Sequence, residues 1–195
     1  MNPLPLFLII VTLPLLLGGC GREEPVNPNL KYETEGDAVT ITYCDEGASG
    51  KLVIPATIEG KSVTSIGQEA FTNCTSLTNI TIPDSVTSIG GLAFKACSSL
   101  TSVTIGNSVT SIRNGAFARC TSLTSITIPD SVTSIGDQAF WDCSSLTAVT
   151  FLGDAPKEGK EVFKDSVPTI YRKPEAKGWG DTWGERPVKL ISEKP

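Results

Sequence analysis

Four cysteines recur at a constant spacing and are the side chains of this chain most able to do chemistry. Cys74, Cys97, Cys120 and Cys143 are each separated from the next by 23 residues. Such a column of thiols could bind a metal ion or form disulfides. Side chains at equivalent positions of a stacked repeat point in the same direction, however, whereas a disulfide needs converging Cβ vectors. We therefore expect free, buried thiols that act as small hydrophobic groups, with no metal and no cofactor. Cys44, outside the column, is also expected to be unpaired.

The remaining polar composition argues against catalysis. The chain has no histidine, so Ser-His and Cys-His nucleophile activation and the commonest metal ligand are unavailable. The acidic residues of the repeats occupy unrelated columns and do not form the carboxylate pair that a carbohydrate-active enzyme needs. They are Glu69, Asp84, Asp130, Asp137 and Asp142. We expect no catalytic residue and no enzymatic activity. The net charge of -5 and the lack of a basic stripe also argue against nucleic-acid binding.

Hydroxyl side chains form the second repeated pattern. Two neighbouring columns of a predicted strand face are candidate binding residues: Thr81, Thr104, Thr127 and Thr150 in one, and Asn79, Ser102, Ser125 and Ala148 in the other. They predict a recognition strip for a glycan or a matrix protein. The alternative is that threonine simply suits the surface of a strand. Trp141 is a further candidate anchor, unless it packs against the last repeat.

A 23-residue repeat must position these side chains. Val63-Thr64-Ser65-Ile66 recurs three times, at Val86, Val109 and Val132, and phenylalanine and leucine columns follow the same step. The alternation at Ile80 and Ile82 predicts a short strand that pairs in parallel with its equivalent one repeat later. The segment Gly67 to Asn73 is long enough for one or two helical turns. The fold class is therefore a repeat solenoid of short parallel β-strands and short helical or 3-10 turns.

The repeat unit V-T-S-I-G-x-x-A-F-x-x-C-x-x-L-T-x-I-T-I-P resembles the BspA-like leucine-rich repeats of bacterial surface proteins and some protist surface proteins. The resemblance covers Val63 to Leu152. It implies a curved right-handed solenoid that attaches to macromolecules, without catalytic residues. It also implies that each column cysteine is a buried small residue bonded to the backbone of a neighbouring loop.

Both ends of the chain differ from the repeats. An apolar run from Leu4 to Leu17 predicts an export signal. The tetrapeptide Leu17-Gly18-Gly19-Cys20 resembles the lipobox of bacterial lipoproteins, which implies lipidation of Cys20; the alternative is an ordinary secretory signal. The predicted segments are a signal peptide (1–19), a tether (20–30), an N-terminal β cap (31–62), four repeats (63–154), and an eroded repeat with a C-terminal cap (155–195).

Within the two predicted caps, the sequence suggests specific packing. In the first, the alternating residues Val39 to Tyr43 and the segment Leu52 to Ile54 are expected to form paired strands. In the second, Trp179 and Trp183 are expected to close the last coil, with sugar stacking as the alternative.

Together these patterns predict a monomeric, non-catalytic protein that is exported and lipid-anchored to the cell envelope, at the outer membrane or the cell surface. Its expected partners are the membrane, through the lipid, and an extracellular protein or glycan. A structural role in the envelope without a specific ligand is the alternative function.

Overall fold

The computed structural model describes residues 27–194. The predicted signal peptide, Cys20 and the tether before residue 27 lie outside the described residues. Within the described part, none of the helical segments is long and apolar enough to cross a membrane.

The described chain is built almost entirely of short strands. In chain order they are β1 (Leu30–Glu35), β2 (Ala38–Cys44), β3 (Gly50–Val53), β4 (Thr57–Ile58), β5 (Lys61–Ile66), β6 (Leu77–Thr81), β7 (Ser88–Ile89), β8 (Ser102–Thr104), β9 (Ser111–Ile112), β10 (Ser125–Ile128), β11 (Ser134–Ile135), β12 (Ala148–Phe151), β13 (Lys157–Glu158), β14 (Thr169–Arg172), β15 (Thr182–Trp183) and β16 (Arg186–Leu190). A 3-10 turn, Ile191–Glu193, follows β16.

Each repeat contributes two strands to two different sheets. The V-T-S-I segments form one parallel ladder in which Ile66, Ile89 and Ile112 are successive partners, 23 residues apart. The second ladder contains the predicted strand, with Ile80 opposite Val103. The predicted repeat solenoid is therefore confirmed, and the predicted strand lies in it in register. The second strand of each coil was not predicted, because two residues are too short to show an alternation pattern.

The two sheets run along the solenoid in a defined strand order. The V-T-S-I sheet has the order β1-β2-β5-β7-β9-β11-β13, with β4 also pairing with β5. The other side is divided into β3-β6-β8 and β10-β12-β14-β16-β15. This division falls in the middle of the predicted recognition strip.

The core is a set of apolar columns that no single repeat could bury alone. The valine, isoleucine, leucine, alanine and cysteine positions of the unit point inward and are almost fully buried. The phenylalanines form a continuous ring stack, with centroids 4.8 to 5.5 Å apart from Phe71 to Phe163. Each coil therefore depends on its neighbours for stability.

The predicted helical turns of the Gly67 to Asn73 segment are absent, and this prediction was wrong. The N–H of Phe71 donates to the carbonyl of Ala93 in the next coil at 2.7 Å, whereas the N–H of Thr72 donates to Glu69 in its own coil at 3.0 Å. Alternate N–H groups can point out of the coil because two columns have positive φ, between 52° and 63°, which an α-helix does not allow. These columns are Glu69, Leu92, Gly115, Gln138 and Glu161, and Asn73, Ala96, Arg119, Asp142 and Asp165.

The strand arrangement at the N-terminal end also differs from the prediction. β2 and β3 were expected to pair with each other, but β2 pairs with β1 and β5, and β3 pairs in parallel with β6. The physical reason is that Leu52 and Ile54 are aligned with the repeat strand, so β3 buries them by joining the repeat sheet. The segment up to Ile54 thus continues both ladders of the solenoid.

At the C-terminal end, two indoles cover the last coil. The Trp183 ring packs against Phe151 and Phe163, at centroid distances of 5.0 and 5.9 Å, and its N–H donates to the carbonyl of Pro156 at 3.2 Å. Trp179 is half-buried and packs on Phe151 at 4.9 Å. Both rings therefore lie against the end of the apolar stack.

Candidate functional site

Most of the predicted recognition residues lie on one side of the solenoid, the side that carries β6, β8 and β10. We use the name hydroxyl strip for Thr81, Thr104, Thr127, Ser102 and Ser125, carried by β6, β8 and β10. Parallel pairing places Thr81 opposite Thr104 and Asn79 opposite Ser102. Alternation along each strand turns the strip outward while Val103 and Ile126 point into the core.

The strip is most open in its middle. Ser102, Thr104, Ser125 and Thr127 are exposed, whereas Asn79 and Thr81 are half-buried. At the N-terminal end the strip continues into Val53, which lies opposite Thr81 and is 58% exposed. The accessible hydroxyls are therefore those of two adjacent coils.

The strip hydroxyls differ from the other threonines in their hydrogen bonding. On the V-T-S-I sheet, Thr87, Thr110 and Thr133 donate to backbone carbonyls of the preceding coil at 3.1 to 3.2 Å. Within residues 27–194, none of the five strip hydroxyls has a protein hydrogen-bond partner. The strip hydroxyls are therefore free to bond to a ligand, whereas the others stabilise the stack of coils.

Thr150 does not belong to the accessible strip, although the sequence placed it there. It is only 4% exposed. Its hydroxyl accepts a hydrogen bond from Lys194 Nζ at 3.3 Å, and the same ammonium lies 5.8 Å from the centroid of Tyr171, the next residue of the column. The C-terminal segment has folded over this end of the strip, which a repeat pattern cannot show.

A shallow cleft interrupts the strip between β8 and β10. At the equivalent position between other coils, a backbone hydrogen bond joins the two strands. The N–H of Thr101 donates to the carbonyl of Thr78 at 2.8 Å, and the N–H of Thr147 donates to the carbonyl of Thr124 at 2.9 Å. Among the described residues, no equivalent bond joins Thr124 to Thr101. The cleft therefore coincides with an opening of the strand ladder.

The cleft has an apolar floor and a hydroxyl on each side. Its volume is about 260 Å³. Val103 and Ile105, which line it, are each 8% exposed, more than most core residues. Thr104 and Thr127 also line it, with Asn107, Pro129 and Leu152 at its ends. Sequence reasoning missed this cleft; the available signal was Gly106-Asn107, which replaces the Pro-Asp of the neighbouring repeats.

Three of the four column cysteines share one buried environment. Cys97, Cys120 and Cys143 carry free, buried thiols that donate to the carbonyls of Phe71, Phe94 and Phe117 at 3.1 to 3.2 Å. Burial raises the pKa of the Cys97 and Cys143 thiols to about 12, and that of Cys120 well above its ordinary value. These thiols are neutral at physiological pH, so they act as packing groups. In the eroded repeat Ser166 takes this position and donates to Phe140 at 2.8 Å.

Three of the five acidic residues of the repeats have partners in a neighbouring coil. Asp84 accepts the N–H of Asn107 at 2.7 Å, and Asp137 accepts the N–H of Lys160 at 2.8 Å, in each case from the next coil. Asp142 lies 3.7 Å from Arg119 in a surface ion pair. Among the described residues, no group of three or more His, Cys, Asp or Glu side chains is arranged to hold a metal ion.

Trp141 lies apart from the strip. It belongs to the turn segment between the two sheets, is half-buried, and donates its indole N–H to Asp165 in the next coil at 3.0 Å. The structure therefore does not bring this predicted anchor together with the hydroxyl residues.

A second groove, of about 790 Å³, runs beside the turn segments and includes Gln138, Lys160 and Glu161. Two of its lining side chains bond to each other: Gln138 Nε2 donates to Glu161 at 2.7 Å, and Lys164 Nζ, outside the lining, lies 3.2 Å from the same carboxylate. The amide of Gln138 and the ammonium of Lys164 lower the pKa of Glu161. The hydroxyl strip, whose groups are unpartnered, is the better candidate for ligand binding.

Comparison with known proteins identifies similar chains. Residues 51–169 match the profile of the BspA type leucine rich repeat region, in six copies. None of the curated proteins compared with the chain matches it.

Three solved structures illustrate the likeness. A leucine rich repeat protein of Treponema pallidum is 29% identical, with a TM-score of 0.67 over 75% of this chain and 71% of that one. A leucine-rich repeat protein of Bacteroides capillosus is 38% identical, with a TM-score of 0.57 over 63% of this chain and 94% of that one. A leucine rich cell surface protein of Faecalibacterium prausnitzii is 31% identical, with a TM-score of 0.60 over 66% of this chain but only 33% of that one.

Proposed function

Because the chain belongs to the family of BspA type leucine-rich repeat proteins, we propose that it is a non-catalytic binding module displayed on the cell envelope. The observation that carries the proposal is the hydroxyl strip, whose exposed side chains have no hydrogen-bond partner within the described residues. An extracellular protein or a glycan is the ligand class that such a surface fits.

The spacing of the strip supports this ligand class. Alternate residues of one strand lie about 7 Å apart, so Ser102 and Thr104 on β8, and Ser125 and Thr127 on β10, form two pairs of donors and acceptors on opposite sides of the cleft. A hydroxyl both donates and accepts, which suits sugar hydroxyls and peptide groups alike. The apolar floor formed by Val103 and Ile105 would contact the C–H face of a sugar ring or an apolar side chain.

Display on the envelope is the second part of the proposal. The apolar run before Cys20 and the lipobox-like tetrapeptide support export and lipidation of Cys20. The description of the Faecalibacterium relative as a cell surface protein agrees with export. Several acyl chains, at about 0.8 kcal/mol per buried methylene, would hold the protein on a membrane surface without a spanning helix.

A structural role in the envelope is the second candidate. It is favoured by the side-chain bonds that join successive coils, such as those of Thr110, Thr133 and Asp137. These bonds stiffen the solenoid and require no ligand.

A binding screen separates the two. The full chain with Cys20→Ser is tested on arrays of glycans and matrix proteins, beside Thr104→Lys/Thr127→Lys. The matched control is Thr110→Lys/Thr133→Lys, which places the same charges on exposed threonines of the other sheet. Saturable binding that the strip variant loses and the control keeps supports a recognition module. No binding across both arrays favours the structural role.

A further inference from the structure

Two cysteines lie close together at the N-terminal end of the solenoid, and the proposed binding function uses neither of them. Cys44 is the last residue of β2, and Cys74 is the first member of the cysteine column. Both sulfurs lie 3.7 Å from a single atom, the carbonyl oxygen of Asp45. Cys74 Sγ is also 3.8 Å from the carbonyl oxygen of Cys44 itself.

The position of Cys74 differs from that of the other column cysteines. Cys97 bonds to the phenylalanine carbonyl of the coil before it, at 3.1 Å. Cys74 belongs to the first coil with a phenylalanine, so its thiol instead faces the end of β2. The column neighbours Cys74 and Cys97 point in the same direction and cannot be bridged without backbone movement. Cys44 comes from a different element of the chain, so its side chain can approach Cys74 from the other side.

We propose that Cys44 and Cys74 form a disulfide that joins β2 covalently to the first coil. The physiological relevance of the bond rests on the proposed export, because disulfides persist in oxidising compartments. The bond itself is a property of the folded chain and is testable on purified protein.

The exchange needs an oxidant that is itself a disulfide, either a protein disulfide oxidase or oxidised glutathione. One of the two cysteines loses its proton and its thiolate attacks one sulfur of the oxidant; a mixed disulfide forms, and one thiolate leaves and takes up a proton. The other cysteine then loses its proton, attacks the sulfur of the first cysteine and releases the second thiol. Two protein thiols are oxidised and one disulfide of the oxidant is reduced to two thiols.

In the folded chain the two thiols contact each other: a hydrogen bond from the Cys44 thiol lowers the pKa of Cys74, whereas the same bond and burial raise the pKa of Cys44. Because both thiols are buried in the folded chain, the exchange takes place during folding, before β2 packs on the first coil.

The bond would strengthen the end of the solenoid. It closes the loop from residue 44 to residue 74 and adds a covalent link to the backbone pairing and apolar packing that hold β2 on the coils. End units of a solenoid lack one stacking neighbour, so they open first. Closing a loop of this length should raise the midpoint of thermal unfolding by about 10 °C relative to the reduced chain.

Thiol counting tests the proposal. The full chain with Cys20→Ser is refolded in a buffer of reduced and oxidised glutathione, quenched with acid, denatured and alkylated, and its intact mass is measured. Reduction beforehand should give adducts on all five thiols. Refolding in the redox buffer should give two fewer adducts, and one cross-linked peptide pair should join Cys44 to Cys74.

Two variants control for other pairings. Cys44→Ser should give the same number of adducts in both conditions, whereas Cys120→Ser should still lose two in the redox buffer. Five adducts after oxidative refolding, or a cross-link between any other pair, would overturn the proposal. Because the refolding is done in vitro, failure of the proposed export or ligand binding does not change either result.

Discussion

Removal of one ring from the phenylalanine stack should destabilise the whole solenoid. Phe117 is fully buried and lies 5.2 Å from the ring of Phe94 and 5.4 Å from that of Phe140. A buried Phe→Ala change costs about 3–5 kcal/mol, and each ring pair contributes about 0.5–1.5 kcal/mol beyond its buried area. Phe117→Ala should therefore cost about 4–8 kcal/mol, a large part of the roughly 5–15 kcal/mol that stabilises a folded domain.

Urea unfolding followed by circular dichroism measures this loss. The comparison variant is Phe71→Ala, since Phe71 is equally buried but has one ring partner, Phe94, at 4.8 Å. The free energy of unfolding lost in Phe71→Ala should be smaller than in Phe117→Ala by the contribution of one ring pair, roughly 1 kcal/mol. A cost below about 2 kcal/mol for Phe117→Ala, or a larger cost for Phe71→Ala, would refute the argument that the stacked rings hold neighbouring coils together.

Three further changes test the bonds between coils. Cys120→Ser should melt at a higher temperature than Cys120→Ala, because a serine can keep the bond to the Phe94 carbonyl, as Ser166 does with Phe140 in its own coil. Cys120→Ala loses this bond at a cost of about 1 kcal/mol. Equal melting temperatures of the two variants would contradict this. Ala96→Gly should stabilise the chain by about 0.5–1 kcal/mol in urea, because φ is 58° at this residue, and destabilisation would show that the side chain matters more than the backbone. Asp137→Ala should cost about 1 kcal/mol through loss of the Lys160 N–H acceptor, whereas Asp137→Asn should be neutral by the same assay.

Most of the fold could be predicted from the sequence because a single register repeats along it. A 23-residue step fixes which residues are partners, so Ile80 and Val103 had to lie side by side once the segment was recognised as a strand. The buried phenylalanine and cysteine columns followed from the same register.

The turn segments could not be predicted correctly from residue type. Ala70 and Phe71 are compatible with a helical turn, and the deciding feature is the positive φ of Glu69 and Asn73. Only part of each column consists of residue types that favour positive φ: Gly115 in one column, and Asn73, Asp142 and Asp165 in the other. The bonds to the next coil offset the backbone strain at the remaining positions.

The candidate site could be placed on the correct face but not delimited. The outward columns followed from alternation, yet the loss of Thr150 depends on the C-terminal segment, which lies 44 residues further along the chain at Lys194. The cleft at Val103 and Ile105 depends on a local opening of the strand ladder, and its sequence signal is one turn, Gly106-Asn107, among otherwise near-identical repeats.

The most direct test of the proposed binding function is a dissociation constant measured by calorimetry for a ligand identified in the array screen. Thr104→Lys/Thr127→Lys should weaken binding at least tenfold, about 1.4 kcal/mol, while Thr110→Lys/Thr133→Lys should leave it within about twofold. Equal affinity of Thr104→Lys/Thr127→Lys and the unmodified protein for the ligand would contradict the assignment of the binding surface.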